Sequence, residues 1–182
     1  MDLVDLIVEK RFLGQEFLTW LWWKSEERGG SIALENKGDI TVVFEKHMVL
    51  ESGEGESSEK IVCTGLQAEL QEARTGLQMG KKLEQARILI GHNNYEYSLT
   101  LVGSLMEFKN VRLPKTETTE SDKGDNPEEI EGMILERIYL IEELIKLVNE
   151  LFHLFLVVRV ADTWRDELQR VRDWVEKSAI LV

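Results

Sequence analysis

The sequence predicts an α+β domain: an N-terminal helix, two antiparallel β-meanders separated by a short helix, and a long plus a closing C-terminal helix. Three observations carry this expectation. Apolar residues recur at helical spacing near both ends of the chain, short alternating or β-branched runs fill its middle, and polar, glycine-bearing segments divide those runs. A length of 182 residues fits one domain, and 43% hydrophobic residues with five tryptophans supply material for a core.

The first helix is expected over Phe12 to Glu27. Leu13, Phe17, Trp20, Leu21 and the stem of Lys24 follow its repeat, and Gly29-Gly30 ends it as a C-terminal cap. Ser31–Asn36, Ile40–Val49 and Lys60–Thr64 read as strands, joined through Gly38-Asp39 and the polar stretch SGEGESS over Ser52 to Ser58. Leu66, Leu70, Ala73 and Leu77 are spaced by four, three and four, which predicts a short amphipathic helix over Leu66–Met79. Strand character returns in Leu83–Ile90, Tyr95–Val102 and Leu105–Leu113, with His92-Asn93-Asn94 as a turn. Lys115 to Glu129 holds six acids, two lysines and no large apolar residue, the composition of a flexible acidic loop.

The C-terminal third carries two seams. Ile134, Ile138, Ile141, Ile145, Val148, Phe152 and Phe155 alternate by four and three, and Leu140, Leu144, Leu147, Leu151, Leu154 and Val158 do so beside them. One helix over Ile130–Val158 with so wide an apolar face must pack on two sides. Its length of roughly 43 Å, at 1.5 Å per residue, exceeds the 27 Å or so of an eight-residue strand. The overhang needs a further partner, supplied partly by the closing helix Asp162–Ser178 and otherwise by a second subunit, so a homo-oligomer is expected.

Composition narrows the chemistry. The net charge is −12, from 34 acids and 22 bases, which weighs against nucleic acid because Lys and Arg supply most of that binding energy. Much of the excess is local, since Lys115–Glu129 contributes −4 and the SGEGESS stretch with Glu51 and Glu59 about another −4. Met1 to Val8 places Asp2 and Asp5 among apolar residues, so no export signal is expected. Glu142, Glu143, Lys146, Asn149 and Glu150 interrupt the most apolar window, Ile138–Val160, and no membrane span is expected. The single cysteine, Cys63, cannot form an intramolecular disulfide and fits a reducing, cytoplasmic setting.

Catalytic motifs are weak. His47, His92 and His153 stand apart from one another and from Cys63, so neither a metal nor another cofactor is expected. Thr75–Lys82 resembles a phosphate loop only superficially. Its glycine spacer is one residue short, Lys82 replaces the magnesium-binding hydroxyl, and the segment ends a helix rather than beginning one. Glu107-Phe108-Lys109 matches the acid-x-lysine triplet of metal-dependent nucleases, without an acid on a preceding strand to complete it. A non-enzymatic protein is therefore expected.

The run Phe17-Leu18-Thr19-Trp20-Leu21-Trp22-Trp23 cannot place all its aromatics on one helical stripe. Either the helix is embedded between two layers, or Trp22 or Trp23 forms an interface or a base-stacking platform, with Ile145, Phe152 and Phe155 as further interface residues on the long helix.

The string from Phe12 to Glu26 resembles a block of the RdgC family of recombination-associated proteins. Val43-Phe44-Glu45, Met48 to Glu51, Gln71 to Arg74, Gly80-Lys81-Lys82 and Arg137 to Glu143 look similar to further pieces of it. The resemblance implies a non-catalytic DNA-binding protein, in that family a ring-like dimer around duplex DNA with little sequence preference that limits recombinase action. On this reading Arg74, Lys81, Lys82 and Arg87, the densest positive cluster, contact phosphates. The alternative expectation is an acidic protein-interaction or assembly module that does not touch DNA.

Overall fold

A computed structural model describes residues 11–27, 29–52, 59–64, 67–115 and 127–177. The expectations for Met1–Val8, for 53–58 and for 116–126 lie outside these residues. The architecture is α+β: α1 (Arg11–Glu27), β1 (Ser31–Leu34), β2 (Gly38–Ser52), β3 (Glu59–Thr64), α2 (Gln67–Gln78), β4 (Lys82–His92), β5 (Tyr95–Val102), β6 (Glu107–Arg112), α3 (Pro127–Val160) and α4 (Trp164–Lys177).

The two expected meanders are halves of one antiparallel sheet. Its path is β1-β2-β4-β5-β6, and β3 lies beyond β1 on the same edge of β2, so the 15-residue β2 serves both meanders. Two local irregularities keep the apolar residues on one face. Between Phe44 and Met48 the pairing of β2 with β4 shifts by two residues, and between Val49 and Leu50 it shifts by one on the β4 side. Across these shifts Val42 pairs with Ile90, Phe44 with Ile88, Met48 with Ala86 and Leu50 with Leu83, while Tyr97, Leu99 and Leu101 continue the row on β5. All are buried except Phe44, which packs partly buried against the core. Helices cover this face; Thr41, Val43 and Val62 of the other face are exposed.

Helix α1 is the centre of the core. Phe17, Leu18, Trp20, Leu21, Trp22 and Trp23 are all buried, which no one-sided helix achieves. It lies on β4 and β2, and α3 and α4 close over its outer side. Phe17 meets Phe152 edge-on at 5.2 Å between ring centroids, Trp20 meets Phe155 at 5.5 Å, and Trp22 meets Trp174 at 5.0 Å. The embedded reading therefore holds, and the interface assignment of Trp22, Trp23, Phe152 and Phe155 is corrected: three are buried, and Phe152 is spent on Phe17.

The start of α1 is fixed by a close backbone approach. A Cβ on Gly14 would overlap the Gly103 carbonyl oxygen in the β5–β6 turn, so only glycine allows this contact. One residue on, Gln15 donates to Glu84 at 2.6 Å, and Ser104 donates to the other oxygen of the same carboxylate.

Helix α3 starts three residues before its expected start at Ile130, with Pro127 in its first turn, where a missing N–H costs nothing. Lys37, in the β1–β2 turn, reaches Glu143 of α3 at 2.8 Å, and Arg159 near its C-terminus reaches Glu16 of α1 at 3.0 Å. Thr163 caps α4 and its carbonyl accepts from Asp166 and Glu167.

Two predictions test these anchors. Gly14→Ala should destabilise the fold by about 2–3 kcal/mol through overpacking, although alanine is the better helix former, as read by denaturant unfolding. The second concerns Glu143, whose carboxyl is held below its usual range first by the hydrogen bond from Lys37 and then by that from Lys146. A depressed folded-state value stabilises above the unfolded-state pKa, and that contribution fades as pH falls through the folded-state value. Lys37→Ala should therefore cost up to about 1 kcal/mol at neutral pH. Thermal unfolding across acid pH should show this gap closing.

Candidate functional site

Helix α3 divides into two halves with different surroundings. In the second half both seams are covered: Leu147 and Leu151 from one, Val148 and Phe155 from the other. In the first half only Leu140 and Leu144 are buried, and Arg137, Leu140 and Ile141 border a pocket with Val111 and Leu113 at the end of β6. The isoleucine seam is the more exposed of the two. Ile130, Ile134, Ile138, Ile141 and Ile145 are 41–53% exposed, and beside them Leu135 and Tyr139 are 59% and 56% exposed.

These seven side chains lie on about four turns of one helix, and half of their surface amounts to on the order of 600 Å². Monomers seldom leave a larger patch than that, and a stable interface uses about 800 Å² per partner. The flanks are charged with both signs. Taking Ile138 and Ile145 as a and Ile134 and Ile141 as d, Arg137 falls at g and Glu142 at e, the positions that pair between parallel helices. Both are exposed, and neither makes an ion pair with another described residue. Ile145, one of the residues expected at an interface, is among these exposed side chains. The exposed residues Ile130 to Ile141 were absent from that expectation, although their four-three spacing was visible; the spacing did not say which seam the sheet would take.

The four cations expected to meet phosphate do not form one surface. Arg74, on α2, ion-pairs with Glu26 and stacks over Trp22 and Trp174, with its guanidinium 5.5 and 4.7 Å from their ring centroids. Lys81 is buried, and its Nζ donates to Ser52 Oγ and Glu59 Oε2 at 3.0 Å each. Arg87 ion-pairs with Glu45. It lies opposite Thr100, one residue out of phase with the core-facing Ile88 and Leu99, and so on the sheet face away from the helices and from Arg74. Lys82 is exposed, with no ion pair to a described residue.

Glu107 and Lys109 pair with each other at 3.3 Å on β6, each about half exposed. Among the described residues no three His, Cys, Asp or Glu side chains converge as a metal site would require. Cys63 is buried, His153 is exposed on α3, and His92 Nε2 lies 3.1 Å from the Lys37 carbonyl oxygen. No described helix is long and apolar enough to cross a membrane.

No protein-family model, curated protein or solved structure matches the chain, so the RdgC resemblance finds no support there. The functional reading rests on this chain's own surfaces.

The different work done by the four cations is measurable. Arg74→Ala should cost about 1–3 kcal/mol in denaturant unfolding, because it strips the lid from two tryptophans and leaves Glu26 without its ion pair. Lys82→Ala should stay within about 0.5 kcal/mol of the parent.

Proposed function

We propose that the protein is a non-catalytic assembly module that associates with a second copy of itself through the first half of α3. The observation that carries this reading is the exposed seam Ile130–Ile145, set beside a leucine seam that is already buried. Three features favour a second copy as the occupant. The seam keeps the four-three alternation of a helix that pairs with a helix. Its area approaches what one side of a stable interface uses. Arg137 and Glu142 supply opposite charges at the flanking positions, so two identical helices side by side in parallel satisfy both.

The DNA-binding expectation lacks comparable support. Of its four residues only Lys82 is exposed, and the others are engaged within the fold.

Light scattering after size exclusion tests the proposal. The parent should run as a dimer or larger oligomer at tens of micromolar. Ile138→Glu should raise the dissociation constant at least tenfold while leaving the far-UV circular dichroism unchanged, since the side chain is already half exposed. A parent that stays monomeric at high concentration contradicts the assembly reading. Salt-sensitive retention of duplex DNA, lost in Lys82→Glu, would put the DNA reading in its place.

A further inference from the structure

A cleft of about 570 Å³ opens between the first half of α1, the turn from α2 into β4, and α4. Its apolar lining includes Phe12, Trp20, Leu77, Trp164, Leu168 and Val171. Phe12 is 39% exposed, and Leu77, Trp164 and Leu168 are half-buried, so the described residues leave apolar wall in contact with water.

The polar side chains around the cleft are already committed to the fold. Gln15 donates to Glu84 at 2.6 Å, Thr19 to the Gln15 carbonyl at 3.0 Å, and Gln78 to the Val175 carbonyl at 2.8 Å. Glu16 is held by Arg159, and Lys81 by Ser52 and Glu59. Arg172 and Glu176, of opposite charge, stand one turn apart at exposed positions of α4. A polar ligand finds few free groups to orient it here, whereas apolar side chains need none.

An occupant of that kind is attached to the wall itself. Residues 1–10 lead into α1 at Arg11, beside Phe12, and carry Leu3, Val4, Leu6, Ile7 and Val8. Asp2, Asp5 and Glu9 are spaced by three and four, a pattern that gathers charge on one side and apolar residues on the other. Eight residues reach about 12 Å as a helix and about 26 Å extended, more than the 8–10 Å or so between packed helices. Either form can therefore pass from Phe12 on α1 to α4.

We infer that the segment Met1–Lys10 seats its apolar side chains in this cleft and covers the open wall between α1 and α4. Tethering makes the contact effective, because a short connection holds the segment at millimolar effective concentration and no tight intrinsic affinity is needed. This contact does not rest on self-association, which uses the first half of α3.

The test uses the full chain with Asp5→Cys carrying a nitroxide; Cys63 is buried and does not take the label. Asp5 belongs to the charged side of the segment, so the label leaves the apolar side chains free. Methyl nuclear magnetic resonance should show strong paramagnetic broadening of Leu168 and Val171 on α4, and none of Ile134 and Ile138. Leu3→Asp together with Ile7→Asp should lower the broadening at Leu168 and Val171 at least threefold. Leu168→Asp should lower it at Val171 by a similar factor from the cleft side; should that variant melt earlier, the pair of changes within the segment decides. A mixture of spin-labelled chains with isotope-enriched chains that lack the label should show no broadening at Leu168 or Val171. Repeating the measurements with Ile138→Glu in every chain keeps their outcome separate from the assembly reading.

Broadening that is absent from the parent, or unchanged by Leu3→Asp with Ile7→Asp, would overturn the inference. Broadening in the mixture would assign the cleft to the segment of a second copy, and would overturn it as well.

Discussion

The fold depends on enclosing α1. A helix with Phe17, Leu18, Trp20, Leu21, Trp22 and Trp23 in succession has no face it can leave in water, so the sheet beneath it is not enough. A second layer has to close over it, and the second half of α3 together with α4 does so through Phe152, Phe155, Trp164 and Trp174. The contact of Gly14 with Gly103 seats one end of the helix against the sheet. With that end fixed, the aromatic residues meet their partners. The position of α3 follows from its second half. In its first half the leucine seam is buried and the isoleucine seam stays largely exposed.

Charge follows the same logic. Arg74, Lys81, Arg87, Lys37 and Arg159 each hold two parts of the fold together through a carboxylate, so these five of the chain's 22 lysines and arginines serve the fold. The −12 net charge is therefore not offset by a broad basic surface built from these residues. The chain is left with an exposed apolar surface on α3. That surface suits a second copy better than a nucleic-acid backbone.

Much of the architecture was legible in the sequence because hydrophobic period reports secondary structure directly. The helices and strands lie close to their expected bounds, and α+β was the expected class. The pairing of strands was not legible. Nothing local says that β2 runs on for 15 residues and takes β3 on one edge and β4 on the other, because that depends on the register shifts at Phe44–Met48 and Val49–Leu50. The tryptophan run announced an unusual environment without saying whether it lay inside or between subunits. The cations were misleading for a related reason. Arg74 and Arg87 belong to different faces of the sheet, and neighbouring positions in sequence do not reveal which carboxylate each will meet. The double seam of α3 was visible in full, but only the tertiary placement of its second half decides which seam is left outside.

The central claim is that α3 is one helix with two roles, core in its second half and assembly surface in its first. Amide hydrogen exchange at two protein concentrations tests it most directly. Amides of residues 147–155 should be strongly protected at both concentrations, while those of 130–145 exchange faster in dilute solution and gain protection as concentration rises. Equal protection along α3 at both concentrations, with no change across 130–145, would contradict the account.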